Sequence, residues 1–461
     1  MEQILSERGT EHILLKGYCY RLDRKLKNEK ESWRCTQDTC RGRIHVDGSS
    51  WVEVMTHTHV PQLATSAMKK VVANIREKAS SCSDVPRRII QEAQVGLTDE
   101  ATVLLPKYTS LQRIVQRRRK RDGDPIPAPN TVSDIVLPHH LCVTHSGEPF
   151  LLYDSGAEDT NRMFIFATEK NIELLKQYKN WLADGTFKIA PRLFHQLYVI
   201  HVLCEGCVVP LIYILLQNKT QESYERALKT ILNLNPEVTP DTMLCDFEKA
   251  FQNATSNVFE STQISGCFFH LAQSIWRKIQ ALHLTELYIS EEHIRKYCKM
   301  LVALAFVPAD DICEVFESLQ DVMPPELEEL TNYFEDTWIG RPFRRRRRDA
   351  VFKPEIWTTF DRVMEDIPKT NNSLEGWHRT IQMTLGYNHP TVYKFVEFLK
   401  MEQDNTEKRV LRMRAGHDDS RKRPKYQRTA KAIKTLVCGY RNRANKLEYL
   451  QNISYHIDLQ K

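Results

Sequence analysis

The sequence lacks any apolar run long enough to cross a membrane. Its longest apolar stretches, residues 208–216 (interrupted by Pro210) and 300–307, fall well short of the ~18–20 residues that a bilayer requires. Residues 1–12 alternate charged and apolar side chains and lack the apolar core of a secretory signal. We therefore expect an intracellular protein with no membrane partner, in which the 12 cysteines stay reduced.

The sequence also lacks an internal repeat and a dominant charge. Its 461 residues include 65 Lys plus Arg and 59 Asp plus Glu, and 41% of them are hydrophobic, which excludes disorder or a fibrous repeat as a description of the whole chain. This length predicts two to four domains.

The basic residues concentrate in three blocks, at 117–121, 344–348 and 421–425. One block alone is typical of a solvated segment, but three favour a polyanion partner or nuclear import signals.

The N-terminal pattern predicts a small all-β module followed by helices. Short strands are expected at 12–20, 32–35, 42–46 and 51–57, with Asp47-Gly48 as a hairpin turn. Residues 67–121 have a helical pattern that ends with Leu111, Ile114 and Val115 on one face and arginines on the rest. A proline-rich break at 124–130 is the clearest linker.

Beyond residue 150 the pattern predicts a mixed α/β domain. Strands are expected at 181–189, 194–204 and 208–217, then a helix at 221–234, a strand at 242–246 with a helix after it, and a strand at 264–268 followed by another helix. Residues 291–365 look wholly helical and interrupt this series. A last helix starts near Asn372, and the tail after Met401 is basic and helical or loose.

Four potential metal ligands lie within the β module. Cys35, Cys40, His57 and His59 have the spacing Cys-x4-Cys-x16-His-x-His, which supplies the ligand types and number of a closed tetrahedral Zn²⁺ site. Positions i and i+2 of a strand share a face, so both histidines can reach one metal. A structural zinc would also stabilise a module that is too small for a sufficient core. The alternative is two incidental cysteines and a polar strand end.

The same stretch resembles a FLYWCH-type zinc finger over residues 8–61. The resemblance rests on Gly17-Tyr-Cys-Tyr20, Trp33-Arg-Cys35, Cys40-Arg-Gly-Arg43 and His57-Thr-His59. It implies DNA binding through exposed basic and aromatic residues, for which Arg34, Arg41, Arg43 and Trp51 are candidates. A solvated sheet face, or for Trp51 a core position, is the alternative.

Acidic residues belong to two of the strands predicted in the α/β domain. Asp184 lies in the first strand, and Asp246 ends the fourth, which is adjacent to the first in an RNase H-like sheet. Carboxylates brought together in this way can hold two Mg²⁺ ions for phosphodiester chemistry. Glu375, in the first turn of the late helix, is the candidate third acid. The alternatives are an Asp-Gly turn for Asp184, a helix N-cap for Asp246 and a capping box of Asn372 with Glu375.

Residues 105–400 resemble Mutator-like (MULE) transposases. The resemblance rests on Asp184-Gly-Thr-Phe187, Asp246-Phe-Glu-Lys-Ala250, Cys267-Phe-Phe-His270 and Asn371-Asn-Ser-Leu-Glu375. It implies an RNase H-like fold with a helical insertion before the third acid. It also implies that Asp184, Asp246 and Glu375 are catalytic and that Cys267 and His270 form the family's Cys-x2-His pair. Two ligands are too few for a second zinc site, so we expect this pair to orient the active site.

The predicted organisation has six parts. They are a zinc finger (8–61), a basic helical DNA-binding segment with linker (67–130), the first part of an RNase H-like core (150–290), a helical insertion (291–365), a helix carrying the third acid (366–400) and a basic tail (401–461).

This organisation predicts a nuclear DNA transposase that uses structural Zn²⁺ and catalytic Mg²⁺ or Mn²⁺. The zinc finger and the arginines of the basic helix, Arg117, Arg118 and Arg119, would hold DNA. Whether the chain forms a homo-oligomer is left open. The rival hypotheses are a domesticated DNA-binding regulator with a transposase fold and a nuclease outside transposition.

Overall fold

The computed structural model describes residues 1–5, 10–26, 30–81, 86–122, 129–343, 346–385, 388–417 and 424–459. The chain divides into two compact units, Met1–Pro127 and Ala128–Lys461. The first is an antiparallel sheet with a small helical bundle, and the second is a mixed sheet with many helices. Most of the proline-rich break predicted at 124–130 lies outside the described residues.

The first unit begins with a sheet whose strands pair antiparallel in chain order. They are β1 (Glu2–Leu5), β2 (Glu11–Leu15), β3 (Tyr18–Lys25), β4 (Glu31–Cys35), β5 (Arg43–Asp47) and β6 (Ser50–Met55). The single strand predicted at 12–20 is in fact β2 and β3, because Lys16 and Gly17 turn the chain back with φ of 50° and 82°. One face of the sheet buries Ile13, Trp33 and Ile44 completely.

The helices of the first unit form a separate core. They are α1 (Leu63–Ser81), α2 (Pro86–Ala93), α3 (Asp99–Val103) and α4 (Tyr108–Asp122). The face predicted for the last helix is confirmed, since Leu111 and Val115 are fully buried and Ile114 packs against the same core.

The second unit is built on a seven-stranded mixed sheet. Its elements are α5 (His139–Cys142), β7 (Leu151–Asp154), β8 (Phe164–Phe166), α6 (Glu169–Gln177), β9 (Asn180–Thr186), β10 (Gln196–Cys204), β11 (Cys207–Leu216), α7 (Gln221–Leu234), β12 (Thr242–Cys245), α8 (Lys249–Val258), β13 (Gln263–Gly266) and α9 (Phe268–Ala281). The strand order is β13-β12-β9-β10-β11-β8-β7. β9, β10 and β11 form the predicted antiparallel meander. β12 is adjacent to β9, as expected, and runs parallel to it. The sequence analysis did not predict β7, β8 or α6.

The rest of the chain is mainly helical. Its helices are α10 (Thr285–Ser290), α11 (Glu292–Ala303), α12 (Ile312–Gln320), α13 (Glu328–Phe334), α14 (Pro354–Trp357), α15 (Phe360–Met364), α16 (Asn372–Leu385), α17 (Val392–Arg414), α18 (Pro424–Cys438) and α19 (Lys446–Ser454). A short hairpin, β14 (Pro342–Phe343) with β15 (Arg346–Arg347), departs from the all-helical prediction for 291–365.

The helical region has one large core that includes the C-terminal helices. Tyr449, Leu450 and Ile453 of α19 are fully buried in the same cluster as residues of α11 and α12. α17 runs across residue 400, where the sequence analysis placed a boundary. No helix among the described residues is both long and apolar enough to span a bilayer.

Candidate functional site

The four predicted zinc ligands converge in the first unit. The ligand atoms of Cys35, Cys40, His57 and His59 all lie within 4.8 Å of one another. Cys40 Sγ is 3.3 Å from His57 Nδ1, and Cys35 Sγ is 3.4 Å from His59 Nε2. Tetrahedral Zn²⁺ with its usual bond lengths requires N to S separations of about 3.6 Å, so the four side chains fit this ion. Both histidines lie beyond β6, which ends at Met55, and not on a strand as predicted.

Each histidine is oriented by a contact at its second ring nitrogen. His57 Nε2 lies 2.7 Å from the hydroxyl oxygen of Tyr20, and His59 Nδ1 lies 2.9 Å from the carbonyl oxygen of Val60. These contacts suit the tautomers that donate at those nitrogens and leave a lone pair facing the cysteine sulfurs. Such outer contacts are typical of metal-binding histidines.

Gly42 leaves space for the His57 ring. A Cβ at position 42 would lie 2.6 Å from two ring atoms, so a larger residue would displace the imidazole. Tyr18 stacks on the other side of the ring at a centroid distance of 3.6 Å. Burial opposes ionisation of Cys40, but hydrogen bonds from the backbone of Thr58 and Gly42 lower the pKa of its thiol to about 7.

Three arginines form a row across the sheet of the first unit. Arg21 on β3 is opposite Arg34 on β4, which is opposite Arg43 on β5. Opposite residues share a face, and each arginine adjoins a core residue in sequence, so the row is on the face away from the core. Like charges in this arrangement destabilise a sheet. We call Arg21, Arg34 and Arg43 the arginine row.

The other predicted DNA contacts have different surroundings. Arg41 is exposed, whereas Arg43 forms an ion pair of 3.2 Å with Asp23. Trp51 packs against the sheet core, which is the alternative weighed for it. Arg117 is exposed on α4, and Arg118 donates to the Ser80 hydroxyl at 2.8 Å. The side chain of Arg119 lies outside the described residues.

The remaining basic blocks are only partly described. Within the five-arginine block, Arg347 forms ion pairs with Glu317 and Glu335 at 2.5 Å and 3.0 Å, so its charge is compensated inside the helical region. Residues 344–345 and 418–423 lie outside the described part of the chain.

In the second unit, a leucine cluster brings the three predicted acids to one face of the sheet. Leu374 of α16 is fully buried against Leu182 of β9 and Leu244 of β12. Asp184 and Asp246 follow these two strand leucines by two residues and therefore share their face. Glu375 follows Leu374 directly, so packing of the helix start brings it to the same edge.

Asp184 is the most deeply buried of the three acids, with 7% of its surface exposed. Burial and the charge of Asp246 raise the pKa of its carboxyl to about 8. His378, one turn after Glu375 on α16, places Nδ1 3.4 Å from Asp184 Oδ2. Burial lowers the pKa of His378 to about 4, which keeps this imidazole neutral.

His270 connects the other two acids. Its Nδ1 lies 2.8 Å from Asp246 Oδ1, and its Nε2 lies 3.7 Å from Glu375 Oε1. Burial opposes protonation of this ring, but Asp246 and the Cys267 sulfur raise its pKa to about 11. Burial also raises the pKa of Glu375. The three acids do not form a group with all ligand atoms within 4.8 Å, whereas Asp246, Cys267 and His270 do.

Asn371 holds this arrangement together from the residue before α16. Its backbone N–H donates to Cys267 Sγ at 3.2 Å, and its Nδ2 donates to Asp246 Oδ1 at 3.1 Å. Asn371 is fully buried. It therefore links the end of β12 with the starts of α9 and α16.

The structural alternatives for the acids do not fit the observed elements. Asp184 and Gly185 lie inside β9 and not in a turn. The N-cap of α8 is Glu248, two residues after Asp246. α16 already includes Asn372, and the N–H of Glu375 donates to the carbonyl oxygen of Asn371, so Asn372 and Glu375 do not have capping-box positions.

Sequence reasoning missed three residues of these sites. Arg21 could have been found from the two-residue periodicity of β3, had the turn before that strand been recognised. His378 follows Glu375 by three positions, which places both on one face of a helix. Asn371 gave no signal of its own beyond its place in the motif.

Comparison with protein families identifies two domains in the chain. Residues 3–60 match the FLYWCH zinc finger domain, and residues 180–274 match the MULE transposase domain. No curated protein matches the chain. The first match contains the four zinc ligands and the arginine row, and the second contains Asp184, Asp246, Cys267 and His270 but ends before Glu375. The chain therefore joins an N-terminal FLYWCH zinc finger domain to a MULE transposase domain, the architecture of a transposase-like DNA-binding protein.

Proposed function

We propose that this protein is a DNA transposase that cuts DNA at element ends and joins the freed 3′-hydroxyl to target DNA. The observation that carries the proposal is the meeting of Asp184, Asp246 and Glu375 at one edge of a sheet within and beside a MULE transposase domain. The strand order around β9 and β12 supports an RNase H-like core. The helices between α9 and α16 would be its insertion.

The donor set suits hard divalent cations. Asp184, Asp246 and Glu375 would hold Mg²⁺ or Mn²⁺, since both ions prefer carboxylate oxygens. Bound there, two such ions would activate the attacking oxygen and stabilise the leaving one. Asn371 would orient Asp246 through its 3.1 Å hydrogen bond, and His270 would keep Asp246 and Glu375 aligned.

The first unit would hold the DNA. The arginine row lies on the face of the sheet away from the core, where Arg43 also pairs with Asp23, and binding to phosphates would offset its cost in sheet stability. Arg41 and the exposed Arg117 would extend this contact. FLYWCH and transposase domains act on DNA, so we infer a nuclear location. A homo-oligomer stays a prediction.

The test is DNA cleavage by the purified full chain in Mg²⁺ or Mn²⁺, on DNA carrying the terminal inverted repeats that flank the coding region. Asp184→Asn, Asp246→Asn and Glu375→Gln should each abolish cleavage and leave folding and DNA affinity nearly unchanged, because each removes a charge and keeps the side-chain size. Glu248→Gln is the matched control, since Glu248 accepts a hydrogen bond from Tyr224 at 3.2 Å.

The outcomes separate the hypotheses. If Glu375→Gln alone cleaves DNA normally, another residue is the third metal ligand. Loss of cleavage in Glu248→Gln would then identify Glu248 as that ligand. If the wild-type chain binds these DNA ends but does not cut them, the protein is a DNA-binding regulator that keeps the transposase domain.

A further inference from the structure

We propose that Asp246, Cys267 and His270 form a second Zn²⁺ site, separate from the FLYWCH zinc. Sequence spacing offered only Cys267 and His270, which are two ligands. Folding adds the carboxylate of Asp246, and one ligand atom from each of the three residues lies within 4.8 Å of the others. Three protein ligands with an open fourth position are a known arrangement for Zn²⁺.

The elements that carry these residues explain why the donors converge. Asp246 directly follows β12, and Cys267 directly follows β13, which lies parallel beside β12. The carboxyl ends of parallel neighbours meet at the same edge. His270 lies in the first turn of α9, which begins right after Cys267. The site therefore lies where the ends of two neighbouring strands meet the start of a helix.

The donor set favours Zn²⁺ over Mg²⁺. A thiolate and an imidazole are borderline to soft ligands that suit Zn²⁺, whereas Mg²⁺ prefers oxygen. Cys267 is fully buried, and Asp246 and His270 have side chains 35% and 24% exposed, so the ion would enter from their side and keep water as the fourth ligand.

Asn371 supplies the outer contacts that such a site needs. Its backbone N–H donates to the Cys267 sulfur, and its side chain donates to Asp246. Two of the three donors are thus oriented by one fully buried residue. Outer contacts that orient metal ligands in this way typically raise metal affinity 10–100-fold.

The first experiment counts zinc in the full chain after equilibration with Zn²⁺ and removal of excess ion by gel filtration. We expect two zinc ions per wild-type chain and one per Cys267→Ala chain. Cys245→Ala is the matched control and should keep two, because Cys245 is a buried thiol beside Asp246 that is not in the ligand group. One ion per wild-type chain, or two in Cys267→Ala, would overturn the proposal.

A second measurement covers the case in which Cys267→Ala fails to fold. Co²⁺ replaces Zn²⁺ and gives a sulfur-to-metal absorption band, which a Cys35→Ser, Cys40→Ser double variant should retain through Cys267 alone. Adding His270→Gln, which keeps a polar side chain at this partly buried position, should remove that band. A band that is absent before this change, or persists after it, would contradict the site.

Zinc at this site would withdraw Asp246 from the catalytic acids, a consequence that rests on the proposed function. In a Zn²⁺ titration that starts from wild-type chain with the finger already loaded with one zinc ion and Mg²⁺ present, the second equivalent should inhibit DNA cleavage. Cleavage that persists with two ions bound would refute this consequence. No cleavage by the chain with only the finger zinc bound would refute the proposed function and leave the zinc count unaffected.

Discussion

The hydroxyl of Tyr20 should control how tightly the finger binds zinc. Tyr20 is 2% exposed, its ring packs with Trp33 and Ile44, and its hydroxyl lies 2.7 Å from His57 Nε2. Tyr20→Phe keeps the Tyr20 ring and the stacking of Tyr18 on the imidazole, and removes the hydroxyl that contacts His57 Nε2. The ring of Tyr20 is not among the zinc ligands, so we expect any loss of zinc affinity to come from poorer orientation of His57.

The magnitude follows from this single contact. Removal of an outer partner of a metal ligand costs 10–100-fold in affinity, or ~1.4–2.8 kcal/mol. The N–H of His57, which is partly buried, would also lose its acceptor, and this argues for the upper part of this range. We therefore expect a zinc dissociation constant about 30–100-fold higher for the first, tighter zinc of the full chain.

The assay is competition for zinc against a chromophoric chelator, at fixed pH, on wild-type and variant chains. Tyr18→Phe is the control, because the Tyr18 hydroxyl donates at 3.3 Å to the His59 backbone and not to a ligand nitrogen. It should stay within about threefold of wild type. Unchanged zinc affinity in Tyr20→Phe, or an equal loss in Tyr18→Phe, would refute the orienting role.

Three further predictions concern the core, the acids and DNA. Leu374→Ala should lower the free energy of unfolding by about 2–5 kcal/mol in denaturant titrations, whereas Glu375→Gln should change it by less than about 0.5 kcal/mol. Because the pKa of Asp184 is raised to about 8, protons compete with the metal ion for this carboxylate below that pH. Calorimetry should therefore show that Mn²⁺ affinity rises from pH 6.5 to 8, and Asp184→Asn should remove this pH dependence. DNA affinity should fall steeply between ~50 and 200 mM salt, and a flat response would contradict phosphate contacts. Arg34→Gln should reduce the slope of log affinity against log salt concentration by about one, whereas Arg347→Gln should leave this slope unchanged.

Ligand spacing and strand order in the sequence were sufficient to predict much of this protein. The Cys-x4-Cys-x16-His-x-His pattern predicted a cluster that the fold brings together, because ligands near the ends of neighbouring short strands have few other ways to meet. The helix at 221–234 was predicted with its observed bounds, since its apolar period, its Thr220 cap and its flanking polar residues agree. Adjacency of β9 and β12 was expected from the strand order of an RNase H-like sheet.

Other features depended on tertiary structure. The turn at Lys16-Gly17 divides one predicted strand into two and so creates the arginine row, which local pattern did not reveal. α16 starts at Asn372, the residue predicted as its cap, and this start depends on Asn371, whose partners Cys267 and Asp246 are over 100 residues away in the chain. Such contacts form only when distant segments pack together. For this reason the three acids could be predicted from the sequence, whereas the residues that contact them are known only from the tertiary structure.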